Sequence, residues 1–186
     1  MIIGIDATQS LTQYGAIGLN GARIHTINNH QRIEDLPMLL ADLMGDDAPT
    51  AVLTITGPGS YTGIRLAVTA SKMIAKVHQI PLIGVSLFDA YMQVNSPLIQ
   101  SLTIVSSNSR KGILNVQLFQ SNSDGFQAIT SILQLNEAQF KAFLAKFEAN
   151  VHWHHIGDAC RFELDVSDHI HHVSVQLSLQ SLLQQY

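Results

Sequence analysis

The chain has 186 residues, of which 46% are hydrophobic and 13% are charged, and its formal net charge is −4 at pH 7. This length and composition are typical of a folded globular protein and exclude a disordered one. The ten lysines and arginines are scattered along the chain, so we do not expect the protein to bind nucleic acid by itself. A surface with so few charges leaves room for an apolar patch that a partner covers.

Cysteine content and hydropathy predict where the protein works. Cys160 is the one cysteine of the sequence, which excludes an internal disulfide and fits a reducing cytoplasm. The sequence opens on a strand-like segment with no basic region or cleavage site ahead of it, and no apolar run approaches the ~18 residues that span a bilayer. We therefore expect a cytoplasmic protein that makes no membrane contact.

The first half of the chain predicts strands followed by alternating helices and strands. Its predicted elements are a strand at 2–6, a hairpin at 13–28 that turns at Asn20-Gly21, a helix at about 35–45 with Pro37 in its first turn, a strand at 51–56, a helix at about 62–78, a strand at 81–85 and a short helix from Ser86 to about Met92. We expect a mixed sheet with the first strand central and strand 51–56 parallel to it. Leu36, Leu39, Leu40 and Leu43 share one face of the first helix, which the sheet can bury. This order is that of the ribonuclease-H-like α/β plan, which actin, sugar kinases and Hsp70 share as the ASKHA fold.

The second half begins to repeat this order and ends early. Its predicted elements are strands at 102–107, 112–119 and 126–133, a helix from Asn136 with Gln139 completing a capping box, a strand at 151–157 and a closing helix at 174–186. The seam is expected at 96–101. The sequence therefore predicts two similar lobes, at 1–97 and 98–186, the second of which is truncated.

A glycine-rich corner, residues 57–63, follows strand 51–56 and opens the long helix. Backbone N–H groups at such a corner could hold an anion. The spacing, however, is not that of a P-loop or a dinucleotide fingerprint, and a nucleophile elbow would need its serine one place later. The alternative is a tight turn in which glycines supply unusual dihedrals and close packing, and the residues by themselves favour this packing interpretation.

The helix after the corner carries more apolar surface than one sheet can bury. Plotted at 100° per residue, Arg65, Thr69, Lys72 and Lys76 share one narrow arc, and almost every other position is apolar or small. A neighbouring helix of the same chain or a partner protein could cover the surplus. Arg65 lies in the first turn, where the helix dipole disfavours a cation, so it either meets a specific partner such as a carboxylate or is a solvated surface residue.

The corner also forms a signature, GPGSYTGIRL, made of Gly57, Pro58, Gly59, Ser60, Tyr61, Thr62, Gly63, Ile64, Arg65 and Leu66. It is similar to the G-P-G-S-F/Y-T-G-L/I/V-R signature of the TsaB (YeaZ) family of bacterial tRNA threonylcarbamoyladenosine proteins. IIGIDAT at 2–8 resembles that family's opening strand, IPLIGVSLFDA at 80–90 its next strand and helix, and NSRKG at 108–112 its D-A-R-x-G. The resemblance runs from Met1 to about Phe119.

This resemblance implies an ASKHA fold and a subunit without catalytic residues or a cofactor of its own. Proteins of the family pair with TsaD, which transfers the threonylcarbamoyl group to adenosine 37 of tRNAs, and the ATPase TsaE joins them. The docking surface would lie on helices 35–45 and 62–78 and include Met38, Asp42, Leu66, Met73 and Val77. In isolation, the chain is expected to form a weak homodimer through the same patch. It would contact tRNA only indirectly, through the complex.

Departures from the family pattern bear on a cleft between the lobes, whose expected residues are Asp6, Thr8, Asn108 and Arg110. The family's acid in D-A-R-x-G is Asn108 here, and the turn after the first strand has no glycine. The H-x-x-x-H metal motif of TsaD does not occur in the sequence. These features favour a non-catalytic scaffold. The alternative is a stand-alone ASKHA-type nucleotide-binding enzyme or metallopeptidase-like protein.

Nine histidines raise the question of a metal site. His152 and His154 share one face of a predicted strand, and His169, His171 and His172 crowd a predicted loop. A metal needs converging ligands and carboxylates that support them, which spacing alone does not establish. We therefore expect no metal.

Overall fold

The computed structural model describes residues 1–19, 21–28, 35–95, 102–123, 125–147, 151–158, 170–175 and 177–186. The predicted turn residue Asn20, the seam at 96–101, Cys160 and His169 lie outside these residues. The chain folds as two compact units, and we call Met1–Ala90 with Ser178–Tyr186 the first unit and Tyr91–Leu177 the second unit.

A five-stranded mixed sheet forms the centre of the first unit. Its strands are β1 (Ile2–Asp6), β2 (Leu11–Gly18), β3 (Gly21–Asn28), β4 (Ala51–Ile55) and β5 (Leu82–Val85), in the order β3-β2-β1-β4-β5. The helices are α1 (Leu36–Met44), α2 (Tyr61–His78) and α3 (Leu87–Asn95). The central strand β1 is antiparallel to β2 and parallel to β4, which confirms the predicted arrangement.

The two helices after β3 bury different kinds of residue. On α1, the buried side chains are Leu36, Leu40 and Leu43, which is the face predicted to meet the sheet. On α2, the buried residues are all small, namely Gly63, Ala67, Ala70, Ser71 and Ala75. Small side chains let a helix lie close to its neighbours. The larger side chains of α2 are therefore not among its buried residues.

The hairpin prediction is wrong by one position. Gly18 pairs with Gly21 at the end of the β2–β3 ladder, so Gly21 belongs to the strand and not to the turn. Its φ of 95° lies in the region that favours glycine. Asn-Gly signals a turn, but the ladder register decides which two residues stand outside the pairing.

The end of the chain also differs from its prediction. Of the helix predicted at 174–186, the described residues form only the short helix α5 (Leu179–Leu183), which begins after Ser178. The Ser178 Oγ accepts the N–H of Ser181 at 3.2 Å and thereby caps the helix. The helix therefore begins at Leu179 and not at Ser174 as predicted.

Packing explains why α5 belongs to the first unit and not to the second. The side chains of Leu179, Leu182 and Leu183 are buried, and α5 contacts β1, β2 and β3. A Cβ at Gly4 in β1 would lie 2.8 Å from a methyl carbon of Leu183. The division of the chain thus differs from the predicted lobes, 1–97 and 98–186, because an apolar helix at the C-terminal end covers the first sheet.

A second sheet forms the core of the second unit. Its strands are β6 (Leu102–Asn108), β7 (Leu114–Asn122), β8 (Gly125–Ala128), β9 (Leu133–Leu135), β10 (Val151–Ile156) and β11 (Ile170–Val175). The order is β11-β10-β6-β7-β8, and β9 pairs with β7. The helix α4 (Glu137–Leu144) has the predicted capping box, in which Asn136 and Gln139 exchange hydrogen bonds of 2.9 and 3.0 Å.

The strand predicted at 126–133 is divided into β8 and β9. Between them, the N–H of Leu118 donates to Thr130 Oγ1 at 3.1 Å, and Gln117 Nε2 donates to the carbonyl oxygen of Thr130 at 2.9 Å. Side chains here replace part of the backbone ladder, so the strand is interrupted. The strand β11 also differs from the predictions, which place His171 and His172 in a loop and residues 174–175 in the closing helix.

Ser106 links two buried side chains of β10. The indole Nε1 of Trp153 donates to Ser106 Oγ at 2.7 Å, and Ser106 Oγ lies 2.8 Å from Nδ1 of His155. All three side chains are almost completely buried. A hydroxyl group that serves two buried partners holds β6 and β10 in register.

We expect Ser106→Ala to lower the free energy of unfolding by about 2–3 kcal/mol, because two buried polar side chains lose their hydrogen bond to the hydroxyl group. Ser107→Ala is the matched control. The Ser107 hydroxyl is buried and has no hydrogen-bond partner within the described chain, so its removal should cost less than 1 kcal/mol. Urea unfolding of both variants checks this, and equal losses would contradict it.

Candidate functional site

The glycine-rich corner packs directly on the turn that follows β1. A Cβ added at Gly59 would overlap the carbonyl oxygen of Thr8, and one added at Gly63 would overlap the carbonyl oxygen of Ala7. Gly57 and Gly59 have φ values of 110° and 159°. The glycines are therefore needed because two backbone segments meet without room for side chains.

Hydrogen bonds inside the protein use three N–H groups of the corner and the first turn of α2. Ser60 donates its N–H to the carbonyl oxygen of Thr8 at 2.7 Å. The N–H of Gly63 donates to Ser60 Oγ at 3.3 Å, and the N–H of Ile64 donates to the carbonyl oxygen of Ser60 at 2.9 Å. This geometry supports the packing interpretation of the corner over a phosphate cradle.

Asp6 and Thr8, two of the predicted cleft residues, lie together beside this corner. Asp6 Oδ1 accepts the N–H of Thr8 at 2.9 Å and its hydroxyl group at 2.7 Å. Both residues are buried. Burial raises the pKa of the Asp6 carboxyl, and the two hydrogen bonds from Thr8 oppose this shift without cancelling it.

Asp6→Asn is expected to stabilise the protein at neutral pH. The folded state binds the Asp6 proton more tightly than the unfolded chain does. The contribution of Asp6 to the free energy of unfolding therefore increases as the pH falls through the raised pKa, and it levels off below 3.8, the ordinary pKa of an aspartate. Asparagine keeps an acceptor for Thr8 and buries no charge. The stability advantage of Asp6→Asn should therefore shrink as the pH falls.

The measurement is the difference in urea unfolding free energy between Asp6→Asn and the wild type, taken from neutral to acid pH. Asp42→Asn serves as the control, because Asp42 is exposed and its removal should give a small, nearly constant difference. A pH-independent difference for Asp6→Asn would show that the Asp6 carboxyl is not buried as described.

Asn108 and Arg110, the other predicted cleft residues, lie at the turn between β6 and β7 in the second unit. Asn108 Nδ2 donates to the carbonyl oxygen of Asp158 at 3.2 Å. Arg110 is exposed, and its carbonyl oxygen accepts the N–H of Ile113 at 3.0 Å. Asp6 and Thr8 belong to the first unit, so the cleft that would join the two pairs stays a prediction.

The predicted docking residues are mostly exposed. The exposed fraction is 56% for Met38, 61% for Met73 and 76% for Val77, and Asp42 is exposed beside Met38 on α1. Leu66 is half-buried and packs against the core of the first unit. The helices α1 and α2, which carry these side chains, contact each other.

The predicted arc of cations on α2 is exposed as well. Arg65 stacks over the ring of Tyr61, with 5.3 Å between its guanidinium carbon and the ring centre. Arg65, Lys72 and Lys76 form no ion pair within the described part of the chain. Sequence reasoning found this arc from its spacing but not the contact with Tyr61.

One histidine of β10, His154, contacts a tyrosine that sequence reasoning missed. Tyr91 Oη lies 2.8 Å from Nδ1 of His154, and burial raises the pKa of Tyr91 to about 12, so the phenol stays protonated at neutral pH. The rings of His152 and His154 are 6.2 Å apart. Among the residues that the structure describes, no three potential ligands form a metal-binding group.

The second histidine cluster was assigned to the wrong kind of element. His171 and His172 lie in β11, not in a loop. The parallel pairing of β11 with β10, which local sequence does not reveal, decides this.

No helix in the described ranges is long and apolar enough to cross a membrane.

A segment of the chain that includes the corner matches one protein-family model. The family model of TsaD, the tRNA N6-adenosine threonylcarbamoyltransferase, matches residues 39–111, which include the corner and α2. YeaZ from Pseudomonas aeruginosa superposes with a TM-score of 0.73 and 16% identity, over 98% of this chain and 88% of that one. The chain has the fold of YeaZ.

A second structure agrees with this YeaZ fold. It is a protein from Pseudomonas aeruginosa described as similar to peptidase YeaZ, with a TM-score of 0.74, 16% identity and the same coverage, 98% of this chain and 88% of that one. None of the proteins of curated function matches the sequence. The ASKHA-type α/β fold class is confirmed, and these matches support the resemblance to the TsaB (YeaZ) family.

Proposed function

We propose that this chain is a non-catalytic subunit of the TsaB type, which pairs with TsaD for the threonylcarbamoyl modification of adenosine 37 in tRNA. The observation that carries the proposal is the exposed apolar surface of α1 and α2. Met38, Met73 and Val77 are each more than half exposed. The segment that matches the TsaD family includes most of α1 and all of α2.

This surface has the geometry of a helix-docking site. Two contacting helices that expose large apolar side chains can meet two helices of a partner and form a small bundle. Burying these side chains against TsaD removes them from water, which supplies the driving force. In isolation, the surface would be covered in part by a second copy of the chain, as a weak homodimer.

The glycine corner supports the absence of a catalytic role. Its N–H groups at Ser60, Gly63 and Ile64 are used within the protein, so they are not free to hold a phosphate. We propose that the corner fixes the position of α2 for docking and that the protein has no cofactor. TsaE and tRNA would join through the complex with TsaD, in the cytoplasm.

Reconstitution tests the proposal. The chain is mixed with the TsaD and TsaE of the same organism, and threonylcarbamoylation of tRNA is measured with and without it. We expect co-elution with TsaD and a loss of modification when the chain is omitted. Unchanged modification on omission would defeat the proposal.

Nucleotide titration of the isolated chain separates the proposal from a stand-alone enzyme. A scaffold should show no hydrolysis of ATP without its partners. Tight binding of ATP together with hydrolysis by the isolated chain would favour an ASKHA-type enzyme instead.

A further inference from the structure

The exposed face of α2 carries two parallel stripes. Arg65, Lys72 and Lys76 lie within about 40° of each other around the helix axis and span about 16 Å along it. We call them the cationic stripe. Each is followed in sequence by a member of the apolar stripe, which consists of the half-buried Leu66 and the exposed Met73 and Val77. The apolar stripe therefore runs about 100° around the helix from the cationic one.

The cationic stripe is not neutralised within the chain. None of its three members has an ion pair in the part of the chain that the structure describes. These three residues are a large share of the ten lysines and arginines, in a chain whose net charge is −4. Arg65 also stands near the helix N-terminus, where the dipole opposes a cation and favours an anion.

We propose that the cationic stripe binds carboxylates on the docking helix of TsaD, which flank an apolar seam that packs on the apolar stripe. This inference rests on the proposed function, and it specifies the chemistry of the partner surface. Opposite charges along the rim of an apolar interface steer association and fix the register of the two helices.

A second copy of the chain fits the stripe less well. In a two-fold antiparallel pair of α2 helices that meet through their apolar stripes, both cationic stripes lie on the same side and repel. An acidic helix has no such conflict. Charge repulsion therefore disfavours this homodimer, and an acidic helix of TsaD is the occupant that we propose for this face.

Charge reversal tests the inference. The double variant Lys72→Glu with Lys76→Glu is compared with Lys141→Glu with Lys146→Glu, which makes the same change in net charge on exposed lysines of the second unit. The association rate constant for TsaD is measured at about 50 mM and about 500 mM NaCl. Thermal melting confirms that both variants are folded.

We expect the reversal on α2 to slow association about tenfold at low salt, and the difference from the wild type to fall below about threefold at high salt. The control variant should associate at a rate near that of the wild type. Equal rates for the two double variants would overturn the inference, while binding of the wild type to TsaD would leave the proposed function standing.

Two other outcomes also decide the matter. If the wild-type chain does not bind TsaD, the proposed function and this inference both fail. If sedimentation shows a homodimer of the wild type that is lost on reversal of Lys72 and Lys76, the stripe pairs with a second copy, and the assignment to TsaD carboxylates is wrong.

Discussion

Gly63→Ala is expected to lower the free energy of unfolding by about 3 kcal/mol or more. Gly63 lies in the first turn of α2, and a Cβ there would overlap the carbonyl oxygen of Ala7. The backbone after β1 has little freedom to move away, because Asp6 holds the N–H of Thr8 and Thr8 accepts the N–H of Ser60. Urea unfolding measures the loss.

The sign of the effect makes this test sharp. In an unobstructed helix, alanine is more stable than glycine by about 1 kcal/mol, so a gain in stability would contradict the contact with Ala7. Gly18→Ala is the matched control, because a Cβ there would lie 3.7 Å from its nearest neighbour, Met1, which is ordinary contact. The control should change stability by less than about 1 kcal/mol.

Met73→Glu is expected to weaken TsaD binding by about 3 kcal/mol, or roughly a hundredfold, since it would strand a carboxylate in an apolar interface. The fold should be nearly unaffected, because the Met73 side chain is 61% exposed. Calorimetric titration with TsaD and thermal melting of the isolated variant measure the two effects.

Ile129→Glu provides the control for Met73→Glu. Ile129 is 52% exposed in the second unit, outside α1 and α2, so the same kind of substitution there should leave TsaD binding intact. If Met73→Glu unfolds the protein, Met73 is part of the core. If it folds and binds TsaD as the wild type does, the docking surface lies elsewhere.

Signals that act within one turn or one strand could be read from the sequence. Ser86 accepts the N–H of Asp89, and Asn136 forms its capping box with Gln139, because such caps depend on residues three positions apart. The leucines of α1 were placed on the correct face from their spacing alone. The exposure of Met73 and Val77 followed in the same way from the width of the apolar arc of α2.

Pairings between distant segments could not be read in this way. The interruption at Thr130 depends on the side chain of Gln117 and the backbone N–H of Leu118 in β7, more than ten residues away along the chain. Residues 170–175 form a strand because β10 offers them a parallel partner. A short segment of mixed apolar and polar residues is compatible with a strand or a helix, and tertiary contacts select between them.

The glycine corner separates what the local sequence determines from what only the tertiary structure decides. Its composition by itself determined that a tight turn separates β4 from α2, since glycine and proline end regular structure wherever they cluster. Only the tertiary structure decided why glycines stand there, because the carbonyl oxygens of Ala7 and Thr8 come from a turn some fifty residues earlier. Local conformation follows from neighbours in sequence, whereas close packing depends on which backbone the fold brings alongside.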